Sequence, residues 1–400
     1  MKNTLMITLL FFSFGSFSQE KKPKTKPDIV QIEVMSQVGF GSSNLTNEFI
    51  NKLLFGGTIT DELKNKILDK TKKTNRIGLE INNEIRVYII DTIFPKYPNH
   101  IYYFGFGSFR NRNAKFSHDF FKTLFYGNKS YAGKTAKLGN TKVIDSKFEK
   151  ITFGILHKNR NSSLGISLII GDKFHSYNFK QADLFTSLDG RQLIVNYNGK
   201  IVNSDKENDN FMAFSGAGVG LDFRHDFNIF KQNLSLDITN FGISIWKRNT
   251  TYSNEQSLID YTGIEVSNII NIGNKEIDSV AKSLLPPTEN RGFTTLLPAI
   301  FRIDKTFDFT KKLQPIYGVK YILNANYIPS AYAGIHYNVN KKIGFSGALA
   351  FGGYTNFRIT TGAYFNLKKV FAGIESQNLI GLFSKNGHGK GLGLYLFTHF

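Results

Sequence analysis

The chain of 400 residues contains no cysteine. Disulfide staples and thiolate metal sites are therefore excluded. Proline is scarce, at nine, so extended segments can run with few interruptions. Beyond the extreme N-terminus there is no long hydrophobic run, and a membrane-spanning helix needs roughly 20 apolar residues in a row. Acidic residues are also in short supply, 31 against 50 Lys and Arg, for a formal net charge of +19. What is abundant is dispersed. The chain is 41% hydrophobic, with 38 Phe, 18 Tyr and 36 Gly against one Trp. Aromatics and glycine without an apolar helical run suit a β-barrel whose strands meet lipid at alternate positions. The basic excess is scattered rather than gathered with stacking aromatics, so no nucleic-acid partner is expected. Lipid phosphates, anionic glycans or anionic solutes fit that charge better.

The N-terminus reads as an export signal. Met1 and Lys2 precede an apolar core, Leu5 to Phe14, and Gly15-Ser16-Phe17-Ser18 offers the small residues of a cleavage site at Ser18/Gln19. This divides the chain into a signal peptide (1–18), a short periplasmic segment (19–27) and a barrel (28–400). At the other end, Gly391 to Phe400 alternates: Leu392, Leu394, Leu396 and Phe400 share one face, and Gly391, Gly393, Tyr395 and His399 the other. A period of two with a terminal aromatic is the pattern of the closing strand of a bacterial outer-membrane barrel, and places the C-terminus in the periplasm.

Strands are expected near 28–40, 76–91, 100–110, 148–157, 162–171, 174–186, 191–203, 211–226, 233–247, 298–307, 314–323, 331–339, 342–351, 355–367, 369–378 and 391–400. That makes about sixteen in an all-β, transmembrane antiparallel barrel, with fourteen as the alternative because 162–186 is the weakest region. In the C-terminal half Ala333, Ile335, Phe345, Leu349, Phe351, Ile359 and Phe365 point outward. The long connections 41–75, 111–147 and 248–297 then all fall on the extracellular side. Short helices are expected at Asn47–Phe55, Asp61–Lys70, His118–Phe125 and Lys275–Leu285, folding over or into the barrel mouth or packing on its rim. Lys311-Lys312, Lys341-Lys342 and Lys368-Lys369 occupy the opposite turns, facing either leaflet phosphates or plain solvent.

Catalytic signatures are absent. Gly127 to Thr135 has the look of a phosphate-binding loop, but five residues separate its glycines where four are required. There is no His-Glu-x-x-His and no Gly-x-Ser-x-Gly. The eight His are dispersed; His336 and His399 fall on inward faces. No enzyme, cofactor or metal is expected. The most distinctive inward face is on 211–226, where Met212, Phe214, Gly216, Gly218, Gly220, Asp222, Arg224 and Asp226 point in. Glycines there leave room for something to pack close to the backbone, or ease the curvature of the wall. Gly216, Gly218, Gly220, Asp222, Arg224 and Asp226, with Arg358 and Glu375, are the candidate lumen-lining residues. Alternation breaks at Asn240-Phe241-Gly242, which reads as a bulge.

Four stretches carry a family resemblance: Asn47-Glu48-Phe49-Ile50 through Lys73-Thr74-Asn75-Arg76-Ile77-Gly78, Leu124-Phe125-Tyr126-Gly127-Asn128-Lys129 through Gly133-Lys134, Asn240 to Trp246, and Phe293 to Pro298. In that order and spacing the chain resembles an uncharacterised family of Bacteroidota outer-membrane β-barrels, distantly similar to barrels associated with type IX secretion and gliding. The resemblance implies a barrel in the outer membrane of a Gram-negative bacterium and carries no catalytic or ligand residues. Two functions are expected from the whole: a porin-like channel or transporter for a small solute, or a non-transporting barrel that scaffolds secreted or surface proteins.

Overall fold

The computed structural model describes residues 30–90, 97, 99–158, 161–204, 210–229, 232–247, 249–261, 288–307, 310 and 312–400. The expected signal peptide, the segment 19–27 and the helix at Lys275–Leu285 lie outside the described residues. No helix among the described residues is long and apolar enough to cross a membrane.

Period-two sequence becomes strand with two unlike faces. In β19 (Gly389–His399) Leu392, Leu394 and Leu396 are exposed while Gly391 and Gly393 are buried. Leu394 pairs with Ile374 of β18 (Val370–Ser376) on one side and with Ser36 of β1 (Val30–Ser42) on the other. The last strand thus bonds to the first, and the sheet closes without an edge. The circuit runs β1, β2 (Asn75–Ile89), β3 (His100–Phe116), β5 (Thr141–His157), β6 (Ser162–Thr186), β8 (Gly216–Ile229), β9 (Gln232–Trp246), β13 (Ile300–Thr306), β14 (Leu313–Ile322), β15 (Ile328–Asn338), β16 (Ile343–Gly353), β17 (Phe357–Leu367), β18 and β19. It is a closed antiparallel barrel of 14 strands. Ile303, Val319, Ile335, Phe345, Leu349, Phe365 and Ile374 stand exposed on its outer face, the apolar belt of a membrane-spanning barrel.

Of the two expected counts, about sixteen and fourteen, fourteen is the one found, for two reasons. Segments 162–171 and 174–186 are one strand, β6, of 25 residues. The break between them is a bulge at Asp172, where the register against β5 shifts at Lys147/Phe148. Second, the segment expected at 191–203 does not join the circuit. It is β7 (Leu193–Asn203), which pairs with His175–Thr186, whereas Ser163–Gly171 of the same strand pair with β8. β7 therefore stands above β8, and β10 (Thr251–Tyr261) pairs with it. Short strands β4 (Lys134–Lys137), β11 (Glu289–Asn290) and β12 (Phe293–Leu296) complete this upper wall. At about 3.3 Å per residue β6 is roughly 80 Å long, about twice its 11-residue counterparts across the barrel.

The same strand switch corrects the reading of 211–226. β8 begins at Gly216, because the place beside β6 above it is taken by β7. Residues 211–215 leave the sheet. Met212 and Phe214 adopt left-handed φ of 54° and 52°. Phe214 does not point inward; it is exposed, and Phe211 meets the outward ring of Phe106 at 6.1 Å. Ala213 N donates to Asp172 Oδ1 at 2.7 Å, seating the segment over the bulge. The connection expected at 111–147 is shorter, because β3 runs to Phe116 and β5 starts at Thr141.

Long connections gather at one end, opposite Val30 and Phe400. Among the described residues three helices of two turns or more form there: α1 (Asn47–Phe55), α2 (Asp61–Leu68) and α3 (His118–Tyr126), N-capped by the hydroxyls of Thr46, Thr60 and Ser117. Phe49, Ile50, Leu63, Ile67 and Phe121 pack together with Phe116 and with half-buried Phe40, Ile77 and Ala114. Those strand positions alternate with inward Gly41, Gly78 and Asn113, so the helices clad the outer side of the rim rather than plugging the mouth. A one-turn helix, α4 (Leu379–Phe383), joins them through Asn47 Nδ2, which donates to Gly381 O at 2.8 Å.

Candidate functional site

The barrel interior is built from alternate positions. β2 contributes Gly78, Glu80, Glu84, Arg86 and Tyr88; β3 contributes Tyr103, Phe109, Asn111 and Asn113. Three levels follow from the loop end downward.

At the upper level, among the described residues, short loops enter the lumen. In the β14–β15 turn, Asn326 Nδ2 donates to Asn113 Oδ1 at 2.7 Å and to Lys142 O at 2.9 Å. In the β16–β17 turn, Tyr354 lies flat on Gly78, where any Cβ would sit 2.2 Å from its ring. Gly78 is therefore required for close approach. Leu297 bends in between β12 and β13 and packs on Phe109, Phe148 and Ile169. Lys320 Nζ on β14 lies 3.2 Å from Glu80 on β2. These strands are diametrically opposite in a circuit of fourteen, so the lumen at this height has the width of two side chains. The space left among Glu80, Asn82, Phe109, Phe148, Asn240 and Ile322 is about 10 Å³, roughly one water.

The middle level is ionic. Lys150 on β5 is wholly buried, with Nζ 2.7 Å from Asp222 on β8 and 3.4 Å from Glu84 on β2. Arg86 closes the group at 2.9 Å from Glu84 and 3.8 Å from Asp222. The Lys150 ammonium also sits 4.9 Å over the Phe109 ring. Two cations balance two carboxylates, which is the condition for burying any of them.

Beside these groups Tyr332 donates to Asp304 at 3.4 Å, and Tyr395 donates to Glu375 at 3.3 Å and accepts from Gln37 Nε2. The lowest level is the rim on the side of Phe400. At the rim a cavity of about 580 Å³ is lined by Lys312, Lys341, Lys342, Asn338, Tyr364 and Phe371 among others.

The residues singled out from sequence take different roles. A Cβ at Gly216 would lie 2.7 Å from Trp246, and one at Gly218 would lie 2.0 Å from Ile243 O; Gly220 has looser surroundings, its nearest neighbour 3.3 Å away. What packs against Gly216 is thus Trp246, tilted against Phe174, stacked on Phe293 and donating from Nε1 to Thr295 at 2.9 Å. Asp222 joins the ionic level and also accepts from Asn240 N at 2.8 Å, across the bulge where Asn240 has φ 60°. Arg224 faces Ser163 and Asp237 in register. Asp226 accepts from Ser235 at 2.6 Å and from Asn161. Arg358 donates to Tyr327 at 3.4 Å and Ser330 at 3.3 Å. Only Asp222 belongs to the ionic level; Lys150, Glu84, Arg86, Glu80 and Lys320 were missed. For the three on β2 the signal was present, since Glu80, Glu84 and Arg86 alternate with Leu79, Ile81, Ile85 and Val87.

The segment resembling a phosphate loop is a Gly-bearing connection. Gly127 and Gly133 take φ of 72° and 70°, and a short 3-10 turn, Lys129–Tyr131, lies between. Burial of Tyr131, reinforced by its hydrogen bond to Asp119, pushes its hydroxyl pKa up.

No curated protein matches the chain. Among solved structures, the translocator domain of the autotransporter NalP from Neisseria meningitidis is 9% identical, covering 94% of this chain and 90% of that one, with a TM-score of 0.34. A Pseudomonas aeruginosa FadL homologue is 10% identical over 94% and 90%, TM-score 0.38. The P. putida toluene transporter TodX is 9% identical over 94% and 91%, TM-score 0.36. Similarities of this size carry no argument about activity. The family described as "Family of unknown function (DUF5723)" matches residues 29–374, and the chain belongs to it.

Proposed function

We propose that the protein is an outer-membrane barrel that acts as a gated transporter of a small solute. One observation carries this reading: Lys320 and Glu80 meet at 3.2 Å from opposite walls, beside loops that bend into the lumen. An open pore needs a continuous aqueous path. A cavity of about 580 Å³ lies at the rim on the side of Phe400, and an ionic and aromatic constriction closes the lumen above it, an arrangement that fits a conduit opened by moving short loops. Polar and charged side chains line the inside, and the outer belt is apolar, which supports the membrane placement. Planar-bilayer recordings test it. Wild type should be silent or show rare openings, and Glu80→Gln with Lys320→Gln should raise open probability. Steady conductance in wild type refutes the gate; silence in both, with no uptake defect on deletion, refutes transport.

A second reading is a scaffold for secreted or surface proteins. The wall made by the outer half of β6 with β7 and β10 favours it, since it extends beyond the circuit and offers a surface unrelated to passage. Pull-down from detergent-solubilised membranes should then recover a stoichiometric partner.

A further inference from the structure

The rim helices carry more apolar surface than the barrel covers. In α1 the pairs Phe49, Ile50 and Leu53, Leu54 stand four residues apart, on one face. The first pair is buried against the rim, but Leu53 and Leu54 are each 52% exposed, and Phe55 follows at 81%. α3 repeats the pattern. Phe121 is buried and Phe125 packs in the same cluster, whereas Leu124 on that face is 63% exposed. α4 adds Ile380, Leu382 and Phe383, all exposed. Polar residues occupy the other faces: Glu48, Asn51 and Lys52 on α1, and Asp119, Lys122 and Thr123 on α3. α1 and α3 are amphipathic, and their apolar stripes overshoot the edge of the wall they pack on.

We propose that α1 and α3, with α4, are interfacial anchors whose overhanging apolar side chains insert into the lipid leaflet at the loop end of the barrel. Continuity identifies the occupant. The helices rest on outward positions Phe40, Ile77 and Ala114, and further down the same strands Val38, Ile85 and Phe104 are exposed in the apolar belt. A stripe leaving the rim on that side enters the boundary between headgroups and acyl chains. An exposed patch of this size in water would be an aggregation hazard. Charge is consistent: Lys52 and Lys122 on the opposite faces can remain among headgroups while their stems lie along the apolar side.

The absence of cysteine permits a clean test. Single cysteines Leu53→Cys, Phe55→Cys and Leu124→Cys would be spin-labelled in the full-length protein reconstituted in phospholipid vesicles. Glu62→Cys, on the exposed face of α2, is the water-facing control. Heat-modifiable migration confirms that each variant is folded. The anchors should show oxygen accessibility exceeding that of a water-soluble nickel complex, the reverse of the control. Nickel accessibility at all three equal to the control overturns the proposal. So does label protection seen in whole membranes but not in vesicles, which would assign the surface to a protein partner. Paired substitution Leu53→Ser and Phe55→Ser should leave the barrel folded and loosen α1, read as faster trypsin cleavage at Lys52; unchanged cleavage argues against anchoring.

Discussion

Replacing Lys150 by methionine should be among the most damaging single changes inside the barrel. The ammonium is fully buried between Asp222 at 2.7 Å and Glu84 at 3.4 Å. Methionine keeps most of the apolar stem but removes the ammonium over Phe109 and leaves two carboxylates with Arg86 as their remaining cation. Breaking a buried ion pair by removing one partner costs about 3–5 kcal/mol. Arg86, at 2.9 Å from Glu84 and 3.8 Å from Asp222, offsets part of this, so the expected loss is at the lower end, about 3 kcal/mol. The lone Trp246, buried in the lumen, reports unfolding by urea in lipid vesicles without labelling. Adding Asp222→Asn to Lys150→Met should recover stability, with a coupling of roughly 1–3 kcal/mol in the double-mutant cycle. Because the group is buried, the coupling should change little with salt. A Lys150→Met loss below about 0.5 kcal/mol, the range of neutral surface changes, would refute the reasoning, as would strict additivity.

Alanine at the three glycines of β8 should rank by what its Cβ meets: Gly218 worst, against Ile243 O at 2.0 Å, then Gly216 against Trp246 at 2.7 Å, with Gly220 nearly neutral at 3.3 Å. Overpacking costs about 1–3 kcal/mol, readable as the folded fraction on heat-modifiability gels. Leu349→Arg tests the membrane belt, since Leu349 is exposed beside Ala333 and Ile359 on the outer face. It should cost about 2–4 kcal/mol in vesicles, whereas a barrel standing in water would lose almost nothing. Ser117→Ala removes the α3 cap and its bond to Lys137 O at 2.8 Å. A local loss of about 1 kcal/mol should appear as faster trypsin cleavage at Lys122, with the barrel itself unaffected.

Local pattern carried much of this molecule. Alternation along Leu392, Leu394 and Leu396 defines a two-faced strand from neighbouring residues alone, because side chains of an extended chain point to opposite sides whatever it pairs with. Helices α1 and α3 were equally legible, since Thr46 and Ser117 cap them and apolar residues recur at helical spacing. Strand number was not. Asp172 ends one run of alternation and begins another, and a bulge and a turn look alike in sequence; only the pairing of both halves of β6 with β5 distinguishes them. The place of β7 depended on which strand was left to pair with Ser163–Gly171, a choice made by β8. The closed lumen was the least legible feature. Glu80 and Lys320 are 240 positions apart and Asn113 and Asn326 are 213 apart, and neither pair has a local signature. Sequence by itself therefore determined that the chain forms two-faced strands with capped helices between them. Closure at fourteen strands, with opposite walls in contact, was decided by tertiary structure, because it rests on pairings that exist only once the circuit is complete.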